Sequence, residues 1–329
     1  MHPIKIIGTG SYVPPRVVTN DDLIKTGLDT SDEWITKRTG VRERRIAGPE
    51  VVTSDMAREA SLKALEMAQI SPHDIDLIIL GTVTPDTHCP SAANWLQAKL
   101  EADRAVTFDV TAACSGFIFG LNIAEQYLKT GMYKTALVVG AEIMTRVVDW
   151  EDRGSCVLWG DGAGAAVVSS EGSGGQVLST HIHSDGSNGK NLLLPGAGSL
   201  VSPMTHESID KGAHLLKMIE GNLMFRFAVR RFMDGINEAA EYNNIPVEQI
   251  DWIIPHQANI RMFQNISQTM GIPMEKFYLT LQKYGNISAA SCIIALDEAV
   301  RDGSVQKGHL ISMPVFGGGI TWGGAMIRW

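Results

Sequence analysis

The chain has 329 residues, 44% of them hydrophobic and 19% charged, and a formal net charge of −8. This is an ordinary globular composition, long enough for one large or two fused domains. No long run of one sign occurs and no apolar run approaches ~18 residues, which argues against a dedicated nucleic-acid binder and against a membrane span.

Residues 4–7 begin a strand, and Gly8-Thr9-Gly10 loosens it. That Gly-Thr-Gly is weak evidence of a phosphate loop, because no second spaced glycine follows. Pro14-Pro15 and Thr19-Asn20-Asp21 mark a loop and a helix start. Thr30-Ser31-Asp32-Glu33 has the spacing of a capping box, so 34–39 reads as a short helix stopped by Gly40. Lys37, Arg38, Arg42, Arg44 and Arg45 crowd near Trp34. Two readings stay open there: an aromatic face with cations for an adenine and its phosphates, or a core tryptophan beside a solvated charged turn.

Residues 54–68 read as an amphipathic helix, 76–81 as a buried strand and 91–100 as a helix. Residues 106–110 form another buried strand, running into Thr111-Ala112-Ala113, Cys114 and Ser115-Gly116. Phe117, Ile118, Leu121, Ile123, Ala124 and Leu128 follow at helical spacing. A strand covers 135–140, and residues 159–164 (WGDGAG) read as a glycine-rich turn into a strand over 165–169. Glu171-Gly172-Ser173-Gly174-Gly175 reads as a junction.

After a polar, glycine-rich span over 184–206, residues 222–242 form a long helix, and then the earlier pattern recurs. DWIIP at 251–255 matches DLIIL at 76–80. A helix over 259–270, a strand over 277–281, a helix over 288–300 and strands over 309–316 and 325–329 follow. The order β–α–β–α–β–β thus occurs twice. It reads as a fused duplication with halves 1–171 and 172–329, each carrying a mostly parallel, buried sheet. The loop after Val110 then opposes the loop holding Asn286, both at strand C-terminal ends, where ligands sit in such sheets.

The chemistry gathers at those loops. Cys114 sits at a strand-to-helix corner, where unpaired N–H groups and the helix dipole favour thiolate, the nucleophilic form. Pro255-His256-Gln257-Ala258-Asn259 ends the repeated strand, and Gly285-Asn286-Ile287-Ser288 opens the helix equivalent to the cysteine's. A thiol, an imidazole and an amide form a nucleophile with two hydrogen-bond donors. Two neutral donors aimed at one point suit the enolate oxygen of a thioester. Gly317-Gly318-Gly319 and the Cys114 amide offer backbone N–H groups for a second oxyanion. Two oxyanion sites around a cysteine imply a Claisen condensation.

Cys89, Cys114, Cys156 and Cys292 lie far apart with no CxxC, which fits a reducing cytoplasm and disfavours structural zinc. The segment MHPIKIIGTG has no long apolar core behind a basic flank, so no signal peptide is expected. His181 and His183 share one face of a strand, with no third ligand nearby in sequence. No metal site is expected.

These residues resemble the thiolase-fold condensing enzymes, with the closest match in the β-ketoacyl-acyl-carrier-protein synthase III family. The motifs run in order along nearly the whole chain: IIGTGSYVP, TSDEWI, RTGVRERR, DVTAACSGF, DRGS, WGDGAGAA, HQANIR, GNISAAS and FGGGITWG. Trp159 stands where the family's glycine motif has Phe. Thiolases carry a second cysteine near the C-terminal glycine loop, where this chain has Met313-Pro314-Val315-Phe316. Elongating ketosynthases use two histidines, and the second position here is Asn286.

The resemblance implies an α/β thiolase-like duplicated fold and initiation of type II fatty-acid synthesis. An acyl-CoA would acylate Cys114, and malonyl-acyl-carrier protein would follow. His256 and Asn286 would hold the enolate, and the Cys114 and Gly318 amides the second oxyanion. No cofactor is implied beyond the coenzyme A thioester itself. Coenzyme A would meet Trp34, Arg38, Arg153 and Asn259. The carrier protein would meet Gln257, Arg261, Arg226 and Arg230, the last two on one helix face. Cys89 and Phe316 would border the acyl pocket, with Cys89 reaching across a homodimer. A bulky residue is common at that position in the family, so Cys89 implies room for primers longer than acetyl. The alternative is a related acyltransferase of secondary metabolism with a different acceptor.

Overall fold

The computed structural model describes residues 3–196 and 198–329. The first half runs β1 (Ile4–Tyr12), α1 (Thr53–Ala68), β2 (Leu77–Gly81), α2 (Ala92–Leu100), β3 (Val106–Val110), α3 (Gly116–Lys129), β4 (Thr135–Ile143) and β5 (Asp161–Ser169). The second half repeats the order as β6 (Gly175–Ser184), α4 (Gly221–Tyr242), β7 (Trp252–Ile253), α5 (Ile260–Met270), α6 (Ser291–Arg301), β8 (Leu310–Gly317) and β9 (Thr321–Arg328). The repeat is therefore longer than the sequence pattern implied: each copy opens with an extra strand and helix.

These nine strands join one sheet, in the order β7-β8-β9-β6-β1-β5-β4-β2-β3, and two short strand pairs, Val17–Thr19 with Glu43–Arg45 and Leu192–Leu193 with Lys217–Met218, lie outside it. Equivalent strands stand at equivalent distances from the β6–β1 seam, where Ile4 pairs antiparallel with Val177 and Ile6 with Gly175. The sheet is mixed. β2 pairs parallel with β3 and β4, and β7 parallel with β8, toward the outer ends. The five pairings between these groups are antiparallel.

Helices cover both faces, so the strands read as unbroken apolar runs. Ile78 and Leu80 of β2 pack outward with α1 and α2. Leu77 and Ile79 pack inward against Phe117, Ile118 and Leu121 of α3 and Ile293 and Leu296 of α6. The inner faces of β8 and β9 meet the same core through Ile311, Met313, Val315 and Ile327. The outer face of that half packs on α4 and α5 through Phe232, Ile236, Phe263 and Met326. Five layers result, with α3 and α6 in the middle. This places the N-terminal ends of α3 and α6 side by side.

Several expectations need correction. The strand expected over 277–281 is a single bridge, Phe277 to Ile253, and Leu281 opens a helix instead. The Gln257 side chain takes the Thr280 and Leu281 N–H groups, which a strand neighbour would otherwise accept. The expected turn over 159–164 is mostly strand, since β5 begins at Asp161. Its glycines serve close packing: a Cβ on Gly164 would lie 2.6 Å from Ile293 Cγ2. β1 runs on through Gly8-Thr9-Gly10, but its pairing with β5 shifts register between Ile6 and Gly8, and Gly8 also serves close packing, since a Cβ there would lie 2.3 Å from the Ala64 carbonyl oxygen of α1.

Candidate active site

Two turns meet at the centre of the molecule. The first, Ala113–Ser115, is a 3₁₀ turn leading into α3, and it buries Cys114. The second, Ser288–Ala290, leads into α6. Their contact is close, since a Cβ on Gly116 would stand 3.1 Å from Ala289 Cβ. His256 follows β7, and its N–H donates to the Pro314 carbonyl of β8 at 3.0 Å. Asn286 precedes the second turn. Its N–H donates to the Leu158 carbonyl at 2.7 Å, and its carbonyl accepts from Gly160 at 3.1 Å.

Cys114, His256 and Asn286 line one cavity of about 350 Å³, with Phe316, Gly317 and Gly318. The Asn286 Oδ1 accepts the Ser288 N–H at 2.8 Å, which fixes the amide orientation and leaves Nδ2 as the available donor. The glycine loop abuts the nucleophile turn: a Cβ on Gly317 would lie 2.8 Å from the Cys114 nitrogen. Thr321 Oγ1 donates to the Ala112 carbonyl at 2.9 Å and Ser115 Oγ to the Thr321 carbonyl at 3.2 Å, tying loop to turn.

Burial sets the charge state of this site. It pushes the His256 pKa down to about 3, with the Ser288 main chain opposing. The imidazole is therefore neutral at physiological pH, a donor or acceptor rather than a cation. Burial also pushes the Cys114 thiol up to about 12, helped by the Glu142 carboxylate and opposed by the Ser288 hydroxyl. This corrects the expectation that the helix start yields a resting thiolate. A helix N-terminus offers about 1 kcal/mol, which is less than the cost of burying an unpaired thiolate.

The far end of the cavity is built around Trp34. Ser31 caps the helix Asp32–Thr39, and Gly40 ends it at φ 86°. Arg38 lies 4.8 Å and Arg153 5.5 Å from the indole centroid. Trp34 shares features of both readings: it is half-buried against the core, and it is flanked by guanidinium groups at a cavity mouth. Arg153 is also held by the Asp29 carbonyl at 2.5 Å. Asn259 caps α5, accepting the Arg261 N–H at 2.9 Å, and lines the same cavity.

The residues expected at a carrier-protein surface divide. Arg226, Arg230 and Arg261 are exposed and form no ion pair among the described residues. Arg226 and Arg230 line a groove of about 830 Å³ between α4 and α5, and Arg261 lines the main cavity. Gln257 does not belong with them. It is buried, donating to the Pro255 carbonyl at 2.8 Å and accepting from Thr280 at 2.8 Å. It is a strut beneath His256, and no partner can reach it.

Cys89 is exposed and does not border either cavity at Cys114, whereas Phe316 does. Sequence reasoning missed the second of these cavities. It holds about 250 Å³ behind the thiol, lined by Val83, Met144, Trp159, Leu192, Leu193, Leu194 and Leu216 together with Cys114. The one local sign was three consecutive leucines within an otherwise polar span. No group of three or more His, Cys, Asp or Glu among the described residues has metal-site geometry, and no helix among them is long and apolar enough to cross a membrane.

Comparison with known proteins agrees with this arrangement. The chain matches the family model for 3-oxoacyl-[acyl-carrier-protein] synthase III over residues 108–186 and the model for its C-terminal part over 240–329. It is 49% identical to the β-ketoacyl-[acyl-carrier-protein] synthase III of Caldanaerobacter subterraneus subsp. tengcongensis, over 98% of this chain and 97% of that one. The crystal structure of the 3-oxoacyl-[acyl-carrier-protein] synthase III of Aquifex aeolicus superposes with a TM-score of 0.91 at 44% identity, covering 99% of this chain and 100% of the other. A priming β-ketosynthase of the R1128 polyketide pathway superposes with a TM-score of 0.91 at 34% identity, covering 99% and 96%. Its fold, its paired turns and these relatives place the chain in the β-ketoacyl-acyl-carrier-protein synthase III family of thiolase-fold condensing enzymes.

Proposed function

We propose that this enzyme performs the initiating condensation of type II fatty-acid synthesis, with Cys114 as nucleophile. The observation that carries this reading is the convergence of a buried thiol, a neutral imidazole and an oriented amide on one cavity. An acyl-CoA enters past Trp34, Arg38 and Arg153, with Asn259 beside the pantetheine. Its acyl group passes to Cys114 and its alkyl tail occupies the apolar cavity behind. That cavity has room on the order of eight water molecules, more than an acetyl methyl fills. We infer that primers longer than acetyl load as well. Coenzyme A serves only as a thioester substrate, and the chemistry requires no metal or redox group.

Malonyl-acyl-carrier protein then binds with its acidic surface over Arg226, Arg230 and Arg261, steered by the local patch rather than by net charge. Loss of CO2 leaves an enolate whose oxygen accepts hydrogen bonds from His256 and Asn286 Nδ2. The carbanion attacks the Cys114 thioester, and the Cys114 and Gly318 amides hold that oxyanion. In a homodimer, the loop bearing Cys89 reaches the partner's acyl cavity. With four free cysteines, the enzyme works in a reducing cytoplasm.

Intact-protein mass spectrometry tests this. Acyl-CoAs of increasing length are mixed with the enzyme, followed by malonyl-acyl-carrier protein. An acyl adduct on Cys114 that disappears as a β-ketoacyl carrier product forms is the expected result. No adduct with any acyl-CoA overturns it. The second reading, a priming enzyme of secondary metabolism, draws on the likeness to the polyketide ketosynthase. An adduct that persists with malonyl carrier protein favours that reading.

A further inference from the structure

Arg44 stands apart from the basic cluster near Trp34. Lys37, Arg38 and Arg42 are exposed, but Arg44 is wholly buried. It pairs with no carboxylate among the described residues. Burial lowers its pKa to about 10, opposed by Cys156 and Glu43, so it stays a cation at physiological pH. An apolar side chain of similar volume often packs in such a place at no loss of stability. Stability is therefore a poor reason for a guanidinium here.

Its hydrogen bonds point to another reason. Nη1 donates to the Val18 carbonyl at 3.1 Å, and Nη2 donates to Asn20 Oδ1 and to the Val157 carbonyl, each at 2.9 Å. The first two acceptors belong to a braced frame. Val18 faces Arg44 across the short strand pair, and Asn20 Nδ2 donates to Asp32 Oδ1 at 2.8 Å and to the Val41 carbonyl at 2.9 Å. The third acceptor belongs to the segment that holds Asn286. Val157, Leu158 and Trp159 line the cavity at Cys114. The Leu158 carbonyl takes the Asn286 N–H, and the Gly160 N–H donates to the Asn286 carbonyl. Trp159 and Asn286 form an isolated bridge, which no ladder extends. The two segments are in close contact. A Cβ on Gly160 would lie 2.2 Å from the Tyr284 carbonyl oxygen and 3.3 Å from Arg44 Cβ, and one on Gly285 would lie 2.5 Å from the Leu158 carbonyl oxygen. A shift of residues 157–160 is therefore passed on to Asn286.

We propose that Arg44 is a positioning residue for the condensation: by holding the Val157 carbonyl against the frame at Val18 and Asn20, it fixes the segment that aims Asn286 Nδ2 at the enolate. The proposal rests on Asn286 holding that enolate. Arg44 itself touches no substrate and moves no proton. The Cys114 turn is secured by a different route, through Thr321 and Ser115, so acyl loading does not depend on Arg44. The two half-reactions then respond differently to its loss.

The test times the half-reactions separately. Enzyme is loaded from saturating acetyl-CoA, malonyl-acyl-carrier protein is added, and rapid quench with intact-mass detection follows the Cys114 adduct as it forms and disappears. Arg44→Met replaces the fork with an apolar chain. Loading is expected at the wild-type rate, with condensation slower by up to about 10²-fold, the effect of a displacement of about 1 Å at the reacting centre. Arg44→Lys keeps the charge and recovers part of the rate. The deciding readout is a double-mutant cycle. Added to Asn286→Ala, Arg44→Met is expected to slow condensation by no more than about twofold further, because the group it positions is gone. Loading and condensation slowed together, or the full Arg44→Met effect persisting in the Asn286→Ala enzyme, overturns the proposal. Where Arg44→Met does not fold, Arg44→Lys carries the same cycle with the same two criteria. With the wild-type enzyme, an absent adduct, or one that persists with malonyl carrier protein, overturns the condensation reading beneath the proposal instead.

Discussion

The turn before α3 and the turn before α6 share a backbone and differ in chemistry. Ala112 and Ile287 adopt similar angles, φ −128° and ψ 27° against φ −105° and ψ 35°. Ala113 and Ser288 follow at φ 46° and 45°. Each turn then makes three residues of 3₁₀ helix and opens a buried helix. Position by position, Cys114 corresponds to Ala289. Duplication provided two helix starts at one seam. One kept a nucleophile, and the other keeps a donor at Asn286 and a hydroxyl at Ser288. The pairing shows how one fold yields a two-sided site: each half supplies what the other lacks, and the middle layer holds them in contact.

The comparison breaks most visibly at the thiol. Cys114→Ala is expected to abolish the acyl adduct in intact-mass measurements. Adding Ala289→Cys is expected not to restore it, because Ala289 is wholly buried and borders neither cavity. Asn286→Ala tests the other side: loading persists while the condensation rate falls by about 10²–10³, separable by timing adduct formation against product formation. Gly140→Ala attacks the contact itself. Its Cβ would lie 2.4 Å from the Ala289 carbonyl oxygen, a backbone clash expected to cost about 3 kcal/mol and to lower Tm by several degrees in calorimetry.

His256 sharpens the comparison through pH. Its folded pKa is depressed to about 3, so the unfolded chain takes up the proton first as pH falls. Its contribution is constant above about pH 6.5 and turns against the folded state below it, reaching roughly 2 kcal/mol by pH 5. Denaturant titrations of wild type and His256→Gln should diverge in that window and run parallel above it. Trp34→Ala gives the smallest effect. Loss of its contacts with a bound nucleotide is expected to raise KM for acyl-CoA about fivefold with kcat unchanged, read from steady-state kinetics.

Local chemistry was legible in the residues themselves. Ser31, Ser91 and Asn259 start helices because their side chains satisfy free N–H groups, and Gly40 ends one because it tolerates positive φ. The buried strands were visible as apolar runs, and the duplication as a repeated order of elements. Cys114, His256 and Asn286 stood out because each sits at an element boundary that its neighbours announce.

Other features depended on groups far apart in sequence. β6 was visible only as a strand around His181 and His183, because its polar residues break the apolar run, and its place in the repeat is set by pairing with β1 and β9. Gln257 adjoins His256 in sequence yet is buried, because residues 278–281 fold over it. Glu142 is one acid in an apolar strand, and its meaning comes from the threonines at 82 and 84. The cavity behind Cys114 is walled by leucines some 80 residues or more downstream of it. The sequence by itself determined the elements, their caps and the reactive side chains, because those follow from near neighbours. The tertiary structure alone decided burial, charge state and the second cavity, because desolvation depends on what distant segments bring to the same place.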